Sequence, residues 1–427
     1  MEWARIRDYS GDLYTITAKD LAELQPHRAA WDQLAWNSPQ QLPQMLPAWV
    51  EASFRHGLGP GHRWLCTFAY AGERLVGVLP IFVMPHPLLG WRWPLLRTCD
   101  WYTPSGDILL DPEHATEALR ALLAEVARHV PIHAGLDLKA VRHSSPVWQA
   151  MRHGRSGYLA LPGARFGYSR LDVTGGFDAY LAGLGNLRSN LKRYRRKLES
   201  RGKVSVEIRK GTDAQADFMP EFLALEASGW KGRNGTAILN DPRATTFYKA
   251  LAENFAAQGR LEWYLIRVDG QLVAAQLALR CGSALILPKY AFNEDFAECR
   301  PGSLLTEEIF REAFARPEIR EVNPVSHSEA DRHWRMSQDD YVSLHLVRPA
   351  ALPMMLHFPR VALRSAYQTY IGPRIPAVLR EARRRFQRRG ERRSRRAAAS
   401  GGLGRRLELI LGSLMSKVAA TEYLLIC

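Results

Sequence analysis

Apolar and polar positions follow one another in nearly the same order in two distant parts of the chain. Residues 70–82 (YAGERLVGVLPIF) and 267–279 (RVDGQLVAAQLAL) each place a Gly-containing turn between two apolar runs. This pattern predicts a β-hairpin in each part, with Gly72 and Gly270 in the turns. Further strand-like sequence, a turn and an amphipathic helix follow each hairpin. The sequence therefore predicts two copies of one α/β unit.

The spacing of the two parts supports the same interpretation. Gly270 follows Gly72 by 198 residues, and Pro301 follows Pro104 by 197 residues. The alternative is a chance similarity between two ordinary hairpins. We place the first unit at residues 1–170, the second at residues 171–350 and a separate tail at residues 351–427. The expected fold is α/β, with a mixed sheet in two tandem units and a basic, partly amphipathic helical extension.

The sequence RPGSLLTEEIF contains the most informative turn of the second unit. Leu305, Ile309 and Ala313 recur every fourth residue, which predicts a packed helix, and Ser303 is expected to cap it. A Gly-containing turn at a helix N-terminus presents backbone N–H groups to an anion. The same turn is also a common way to end a loop without binding any ligand. The local sequence leaves both interpretations open.

A basic helix is predicted in the segment NLRSNLKRYRRKLESRG. Leu187, Leu191, Tyr194 and Leu198 fall on one face, and six cations fill the others: Arg188, Lys192, Arg193, Arg195, Arg196 and Lys197. A solvated basic face is the usual explanation of such a run. Contact with phosphate groups is the alternative, because no acidic residue interrupts the six cations.

Composition and charge restrict the class of protein. The 427 residues are 46% hydrophobic and 24% charged, which is typical of a globular protein with more than one domain. The five cysteines show no paired spacing, so neither a disulfide framework nor a zinc site is expected. The first residues lack an apolar signal core, and no stretch has about 20 uninterrupted apolar residues. We expect a cytoplasmic protein.

The tail carries most of the positive charge. Between Arg374 and Arg406 there are thirteen Arg and two Glu, which is +11 of the net +15. Beyond this run, Leu407, Leu414 and Val418 fall on one helical stripe. A basic segment beside an apolar-faced helix predicts peripheral binding to an anionic membrane surface through residues 374–426. The alternatives are an acidic protein, nucleic acid, which is the less favoured partner, or packing against the rest of the chain.

A family resemblance extends over about residues 180–335. The segments NLRSNLKRYRRKLESRGKVSVEI, FLALEASGWKGRNGTAI, RVDGQLVAAQLAL and LPKYAFNEDFAECRPGSLLTEEIF occur in the order seen in CelD-type acetyltransferases. These enzymes belong to the GNAT superfamily and are related to Fem-type aminoacyl transferases. The first unit resembles the family only loosely, and the last 75 or so residues do not resemble it. The resemblance implies transfer of an acyl group from a thioester carrier to an amine.

The resemblance also implies where the acyl donor binds. In GNAT enzymes the turn after the central strand holds the pyrophosphate of coenzyme A, and Arg300, Pro301, Gly302, Ser303 and Leu304 match that turn. Acyl-CoA, or acyl carrier protein, would then be a co-substrate rather than a tightly bound cofactor. Residues expected to contact the substrates are Trp230, Lys231, Lys289, Arg188, Lys192 and Arg196.

The catalytic assignment stays open at this point, because the segment EVNPVSHSEADRHWRM departs from the family pattern. Asn323 stands where Asp is usual, and Arg332 stands where Lys is usual. Candidates for the base that deprotonates the amine are Glu226, Glu294, Asp295, His327 and Glu329. Tyr290, at the end of the central strand, is the candidate for protonating the departing thiolate. Cys281 and Cys299 are interpreted as buried, inert thiols, because the reaction needs no covalent intermediate.

No metal site is predicted, because His327 and His333 lack a carboxylate or Cys at ligand spacing. The leading functional hypothesis is an N-acyltransferase whose acceptor is a lipid-like or cell-envelope amine, such as a sphingoid base. One alternative is Fem-like transfer from aminoacyl-tRNA, with the basic helix on RNA. Another is a non-catalytic GNAT-like binding module that has lost its acceptor site.

Overall fold

The computed structural model describes residues 13–59, 61–98, 102, 105–153 and 157–367. Within these residues thirteen strands form one sheet: β1 (Leu13–Ala18), β2 (Arg63–Ala71), β3 (Arg74–His86), β4 (Gly90–Thr98), β5 (Leu109–Leu110), β6 (Gly135–Arg142), β7 (Leu159–Asp172), β8 (Val204–Lys210), β9 (Leu261–Val268), β10 (Gln271–Cys281), β11 (Ala284–Phe292), β12 (Glu321–Asn323) and β13 (Ser337–Val347). The predicted basic and amphipathic tail at residues 374–426 lies outside the described residues.

Twelve α-helices surround the sheet in the described part of the chain: α1 (Arg28–Asn37), α2 (Pro47–His56), α3 (Ala115–His129), α4 (Pro146–His153), α5 (Phe177–Gly183), α6 (Asn186–Glu199), α7 (Met219–Ser228), α8 (Trp230–Arg233), α9 (Pro242–Ala257), α10 (Pro301–Phe314), α11 (Glu329–His333) and α12 (Phe358–Ala366). A π-helical turn, Pro353–His357, leads into α12. None of the described helices is both long enough and apolar enough to cross a bilayer.

The two halves of the sheet have equivalent strand orders when each half is read inward from its outer edge. The order across the whole sheet is β1-β2-β3-β4-β6-β13-β7-β12-β11-β10-β9-β8, while β5 pairs with β3 beside this path. Strands β4 and β6 pair in parallel, as do β11 and β12 at the matching place in the second half. The expected mixed α/β fold with two tandem units is therefore confirmed.

The two predicted hairpins connect equivalent strand pairs. Gly72 lies between β2 and β3 with a φ of 60°, and Gly270 lies between β9 and β10 with a φ of 81°. Positive φ values fit the tight turns that the right-handed twist of a hairpin requires. The predicted match of Pro104 with Pro301 is not tested, because Pro104 lies outside the described residues. Helix α10 begins at Pro301, but α3 begins only at Ala115, after the extra strand β5.

Strand β13 joins the two halves. It comes last in the second half of the chain, yet it pairs with β6 along one edge and with β7 along the other. Arg142 on β6 reinforces this junction, because its guanidinium binds Glu321 on β12 at 2.9 Å and Asp339 on β13 at 2.5 Å. The domain boundaries at residues 170 and 350 stay predictions, although a strand of the second half completes the sheet beside the first.

Hydrophobic packing differs on the two faces of the sheet. On one face α1, α2, α7 and α9 share a continuous core, in which Trp49 on α2 meets Phe247 on α9 with ring centroids 5.6 Å apart. On the other face, α3 and α4 cover one core, and α6 and α10 cover a separate core. Leu305, Ile309 and Ala313 are buried in the latter, as their fourfold spacing predicts. The core under α6 and α10 fixes the direction of α10 and therefore the position of its N-terminus.

Candidate functional site

The turn before α10 presents one free backbone donor. Arg300 adopts the left-handed conformation, with φ 48° and ψ 52°, and Pro301 begins the helix without an N–H of its own. The Ser303 and Leu304 N–H groups donate to the Arg300 carbonyl at 3.0 and 3.3 Å. Among the described residues, nothing accepts a hydrogen bond from the Gly302 N–H. Ser303 thus lies in the first helical turn, and its predicted capping role is wrong, because the capping position belongs to Arg300.

Tyr290 faces this turn from the end of β11. A Cβ atom added to Gly302 would lie 4.0 Å from Cε2 of Tyr290, so a side chain at this position would reach the ring. The tyrosine is 49% exposed. Burial of the rest of the side chain, together with the charge of Asp331, raises the pKa of the Tyr290 phenol. The hydroxyl therefore stays protonated and can act as a proton donor.

Lys231 connects the strand end to the WKG segment. Its ammonium donates to Glu226 Oε1 at 2.8 Å and to the Tyr290 carbonyl at 3.0 Å, and it lies 5.4 Å from the Tyr290 ring centroid. The second oxygen of Glu226 accepts from the Ile238 N–H at 2.9 Å. Both carboxylate oxygens of Glu226 are therefore engaged, and this buried side chain positions Lys231. Its predicted role as a base is not tested by this geometry.

A small open pocket lies between these groups. It has a volume of about 260 Å³, and its lining residues are Leu225, Glu226, Gly229, Trp230, Lys231, Tyr290, Ala291 and Phe292. Trp230 is 48% exposed at the rim, and its backbone N–H donates to Glu294 at 2.6 Å. A Cβ at Gly232 would collide with the carbonyl oxygen of Ala227, which explains the glycine in this motif.

Lys289 precedes Tyr290 on β11. Its ammonium is 5.4 Å from the ring centroid of Tyr248, and burial lowers the pKa of the lysine. Tyr248 in turn donates to the carbonyl of Tyr102 at 3.4 Å, and the Tyr102 hydroxyl donates to Asp241 at 2.8 Å. The first half of the chain therefore contributes Tyr102 to the surroundings of Lys289.

His327 belongs to a hydrogen-bonded group at the end of β7. Its Nδ1 lies 2.9 Å from Ser169 Oγ, and the same hydroxyl donates to Asp331 at 2.7 Å. The Gln338 amide lies 2.8 Å from His327 Nε2. The charge of Asp331 also raises the pKa of Tyr290, so this carboxylate acts on both the histidine group and the tyrosine. Sequence reasoning missed Asp331 and Ser169.

The two remaining candidate bases are Asp295 and Glu329. Asp295 is exposed in the turn before α10, where its backbone N–H donates to the Asn293 side chain at 3.0 Å. Glu329 begins α11, and its side chain lies outside what the structure describes. Asn323, which replaces the family's usual Asp, is buried and accepts from the Val325 N–H at 2.8 Å. Asn323 therefore fixes the chain that leads to His327.

The cations of α6 divide into two groups. Arg195 binds Glu307 and Glu308 of α10 at 2.9 and 2.6 Å, and Lys197 binds Glu298 at 2.8 Å. These pairs hold α6 against the turn and helix described above. A second group, four residues apart along the helix, is exposed and has no acidic partner among the described residues: Arg188, Lys192 and Arg196. We call these three residues the basic stripe.

Cysteine and metal chemistry receive little support from the described residues. Burial raises the pKa of the Cys281 thiol to about 12 and also raises the pKa of Cys299. Thiolate is therefore scarce at neutral pH. One group with metal-ligand chemistry, Asp111, Glu113 and His114, has its ligand atoms within 4.8 Å of one another. Arg74 already pairs with both carboxylates, at 2.5 and 3.4 Å.

One family of known proteins matches the part of the chain that contains this site. The family described as acetyltransferase (GNAT) domain matches residues 185–330, about a third of the chain. The matched region includes the WKG segment, Tyr290, the Gly302 turn and His327. It indicates an acyltransferase, and the GNAT part of the resemblance is confirmed. No curated protein matches the sequence.

Among solved structures, a crystal structure of FemX is similar with a TM-score of 0.54 and 12% identity, covering 82% of this chain and 99% of FemX. At this identity the likeness shows the fold alone. A tandem GNAT protein from the clavulanic acid biosynthesis pathway matches with a TM-score of 0.42 and 14% identity, covering 79% of this chain and 99% of that one. L-PGS from Bacillus licheniformis gives a TM-score of 0.42 and 10% identity, with 83% and 98% covered.

Proposed function

We propose that this protein transfers an acyl group from acyl-CoA, or from acyl carrier protein, to an amine. The observation that carries the proposal is the free Gly302 N–H at the start of α10, placed close to Tyr290 and beside the pocket of Glu226, Trp230 and Lys231. An anion-binding helix start and a protonated acid at one strand end are what thioester aminolysis needs. We also propose that the chain is of the CelD type within the GNAT superfamily.

The donor phosphates would bind at the start of α10. The Gly302 N–H supplies a donor, the helix dipole favours negative charge, and the exposed Arg300 adds a charge-assisted contact. Ser303 and Leu304 complete the turn, and Pro301 fixes its entry. The missing side chain at Gly302 lets a phosphate approach the backbone closely.

The reaction itself needs three proton transfers. A base takes a proton from the ammonium form of the acceptor, and the neutral amine attacks the thioester carbonyl to form the C–N bond. When the C–S bond breaks, Tyr290 gives its proton to the thiolate, and the second proton that the nitrogen loses on becoming an amide restores the phenol through solvent. We assign the base to His327, because Glu226 is engaged by Lys231 and Ile238, while Asp295 lies on the exposed turn. Glu329 is the alternative base.

The acceptor would enter the pocket beside Trp230, Lys231 and Lys289. An apolar ring at the rim suits an amphiphilic amine, so we propose a lipid-like or cell-envelope acceptor such as a sphingoid base. Peripheral binding of residues 374–426 to the inner face of a membrane would bring the enzyme to such an acceptor. This part of the proposal depends on the sequence of the tail.

Calorimetric titration with acetyl-CoA and with a long-chain acyl-CoA below its micelle concentration tests donor binding. We expect the wild type to bind one of them and Gly302→Trp to bind neither, because the indole fills the space at Tyr290. Gly176→Trp is the matched control, since a Cβ at Gly176 would meet nothing within 4 Å. Failure of the wild type to bind either donor would refute acyl-CoA as the substrate.

Fem-like transfer from aminoacyl-tRNA is the second candidate, and the basic stripe favours it. Three exposed cations without acidic partners would contact the phosphates of an RNA. If this candidate is correct, transfer from aminoacyl-tRNA falls steeply with salt, and replacing Arg188, Lys192 and Arg196 by Gln flattens that dependence. Loss of all donor binding in both assays would favour the non-catalytic module instead.

A further inference from the structure

A cluster of cations lies on the sheet far along the chain from the Gly302 turn. Arg97 of β4 pairs in register with Asp137 of β6, and His345 of β13 is the neighbour of Asp137 on the other side. Helix α12 and the turn before it cover these residues. We call the group the central cationic cluster, and it consists of Asp137 and six cationic or imidazole side chains: His86, Arg97, His345, His357, Arg360 and Arg364.

The hydrogen bonds in this cluster determine which histidine nitrogens carry protons. The Leu88 and Leu89 N–H groups both donate to His86 Nδ1, at 3.2 and 3.1 Å. His86 therefore carries its proton on Nε2 and donates it to His357 Nδ1 at 3.1 Å. His357 then carries its own proton on Nε2. That donor is buried, on a residue only 2% exposed, and has no acceptor among the described residues.

The arginines of the cluster are also short of acceptors. The buried Nε of Arg364 has no partner within the described residues, and no carboxylate there forms an ion pair with Arg97, Arg360 or Arg364. Asp137 is the nearby carboxylate, and His345 already binds it at 2.6 Å. Burial lowers the pKa of both Arg360 and Arg364, and the charge of Asp137 opposes this shift. A cluster in which three arginines share one carboxylate attracts an anion.

Exposed apolar side chains lie near members of the cluster in the sequence. Leu88 is 66% exposed and lies two residues from His86, while Met355 is 69% exposed and lies two residues from His357. Leu363, beside Arg364, is 72% exposed. We call Leu88, Met355 and Leu363 the apolar rim. Beyond α12 the chain continues into the run of thirteen Arg between Arg374 and Arg406.

Arginines without a carboxylate ion pair, with exposed apolar residues near them in the sequence, match the chemistry of an anionic phospholipid. A phosphate would accept from the guanidinium groups of the partly exposed Arg97, Arg360 and Arg364, and the apolar rim would meet the acyl chains. We propose that the central cationic cluster binds the phosphate of an anionic phospholipid headgroup, with the apolar rim inserted at the membrane surface. This inference is independent of the proposed acyl transfer, because it needs neither donor nor acceptor.

The first test places an environment-sensitive fluorophore on the apolar rim of the full chain. Leu363→Cys is labelled and mixed with vesicles of phosphatidylcholine, with or without phosphatidylglycerol. We expect a blue shift with the anionic vesicles. The same label at Leu239→Cys, which is 46% exposed in the second unit, serves as the control and should not shift. The basic tail could bind these vesicles by itself, but it would leave a label at position 363 in water. An unshifted label there would overturn the proposal.

The second test separates a binding role of Arg364 from a structural one. Arg364→Met is made in the labelled chain. At equal lipid concentration it should reduce the blue shift of the label at least tenfold. It should also raise the Tm in buffer, because it removes a buried charge that has no ion-pair partner among the described residues. Arg152→Met, an exposed arginine on α4, should change neither. A lower Tm for Arg364→Met, or an unchanged blue shift, would contradict the proposal.

A third measurement distinguishes lipid from soluble phosphate. Inorganic phosphate and glycerol phosphate are added to the labelled chain on anionic vesicles at matched ionic strength. We expect neither to displace the label, because neither contacts the apolar rim. Displacement by inorganic phosphate at low millimolar concentration would identify a soluble anion as the ligand and overturn the lipid assignment.

Discussion

The two halves of the sheet each place a Pro-containing turn before a helix, α3 or α10, and the two turns differ in backbone conformation and in hydrogen bonding. In the first half the sequence is Asp111-Pro112-Glu113, and in the second it is Arg300-Pro301-Gly302. The Asp111 carboxylate accepts from the Glu113 N–H at 2.9 Å, so the chain satisfies its own donor. The corresponding Gly302 N–H has no acceptor among the described residues. An equivalent fold therefore offers an anion site only where the turn leaves its donor free.

The pockets beside these turns differ in the same way. In the second half the connection between α7 and α9 carries the buried ion pair of Glu226 and Lys231. In the first half the connection between α1 and α2 carries Gln40, whose amide donates to the buried Asp107 carboxylate at 3.4 Å. Burial raises the pKa of Asp107 to about 7, because that site provides no cation. One half has a charged pocket and the other a nearly neutral one.

The largest effect is expected from breaking the ion pair. Lys231→Met removes the cation that is hydrogen-bonded to the buried Glu226 carboxylate and leaves Lys289 as the cation that still acts on it, so the free energy of unfolding should fall by about 3 kcal/mol. Urea denaturation measures the change. The double variant Lys231→Met with Glu226→Leu should recover most of the loss. A single variant as stable as the wild type would show that the pair is not essential to this half.

Converting one turn into the other is the next strongest test. Gly302→Glu gives the second half the residue that the first half has at Glu113, and repulsion of the donor phosphates should weaken acyl-CoA binding roughly 100-fold. Calorimetry gives the Kd. Glu113→Gly is the reciprocal control and should leave the Kd unchanged. If both variants bind like the wild type, the turn of α10 is not the donor site.

Removing the hydroxyl of Tyr290 should slow the reaction without weakening the donor. For Tyr290→Phe we expect kcat to fall about tenfold, less than general acids usually contribute, because a thiolate leaves readily. The Kd for the donor should not change, since the ring still faces Gly302. Tyr194→Phe, on α6, is the matched control. An unchanged kcat would show that solvent, and not Tyr290, protonates the thiolate.

The smallest effect, taken per pH unit, concerns Asp107. Its folded-state pKa of about 7 lies above the unfolded value, so the folded protein holds an extra proton and loses stability as the pH rises from about 4 to 7. Asp107→Asn should therefore become more stable than the wild type by roughly 1 kcal/mol for each pH unit in that window. Unfolding curves at several pH values measure this difference. A constant difference across the window would show that the carboxyl titrates normally.

Local sequence patterns predicted the elements that depend on neighbouring residues. The turns at Gly72 and Gly270 and the buried face of α10 follow from hydrophobic period and turn chemistry, which act over a few residues. The closeness of Tyr290 and Gly302 could be predicted from the sequence, because Tyr290 lies near the end of β11 and Gly302 lies in the first turn of α10. The family resemblance brought them together in one site.

Long-range pairing was beyond such patterns. Nothing in the sequence of β13 indicates that it lies between β6 and β7, because an apolar strand fits many partners. Ser169 of β7 meets His327 only through this arrangement, so the group around His327 could not be assembled from spacing. Asp331 did leave a signal, since Ser328-x-x-Asp331 is a capping box, and both of its hydrogen bonds are present.

The position of β13 affects how the protein is made. A ribosome releases β6 and β7 long before Ser337–Val347, the segment that separates them in the finished sheet. Until that segment emerges, two strands of the nascent first half keep edges with unpaired N–H and C=O groups, which favour aggregation. Chaperone dependence during synthesis is therefore expected to end when β13 is inserted, and a chain truncated before Ser337 should accumulate in inclusion bodies.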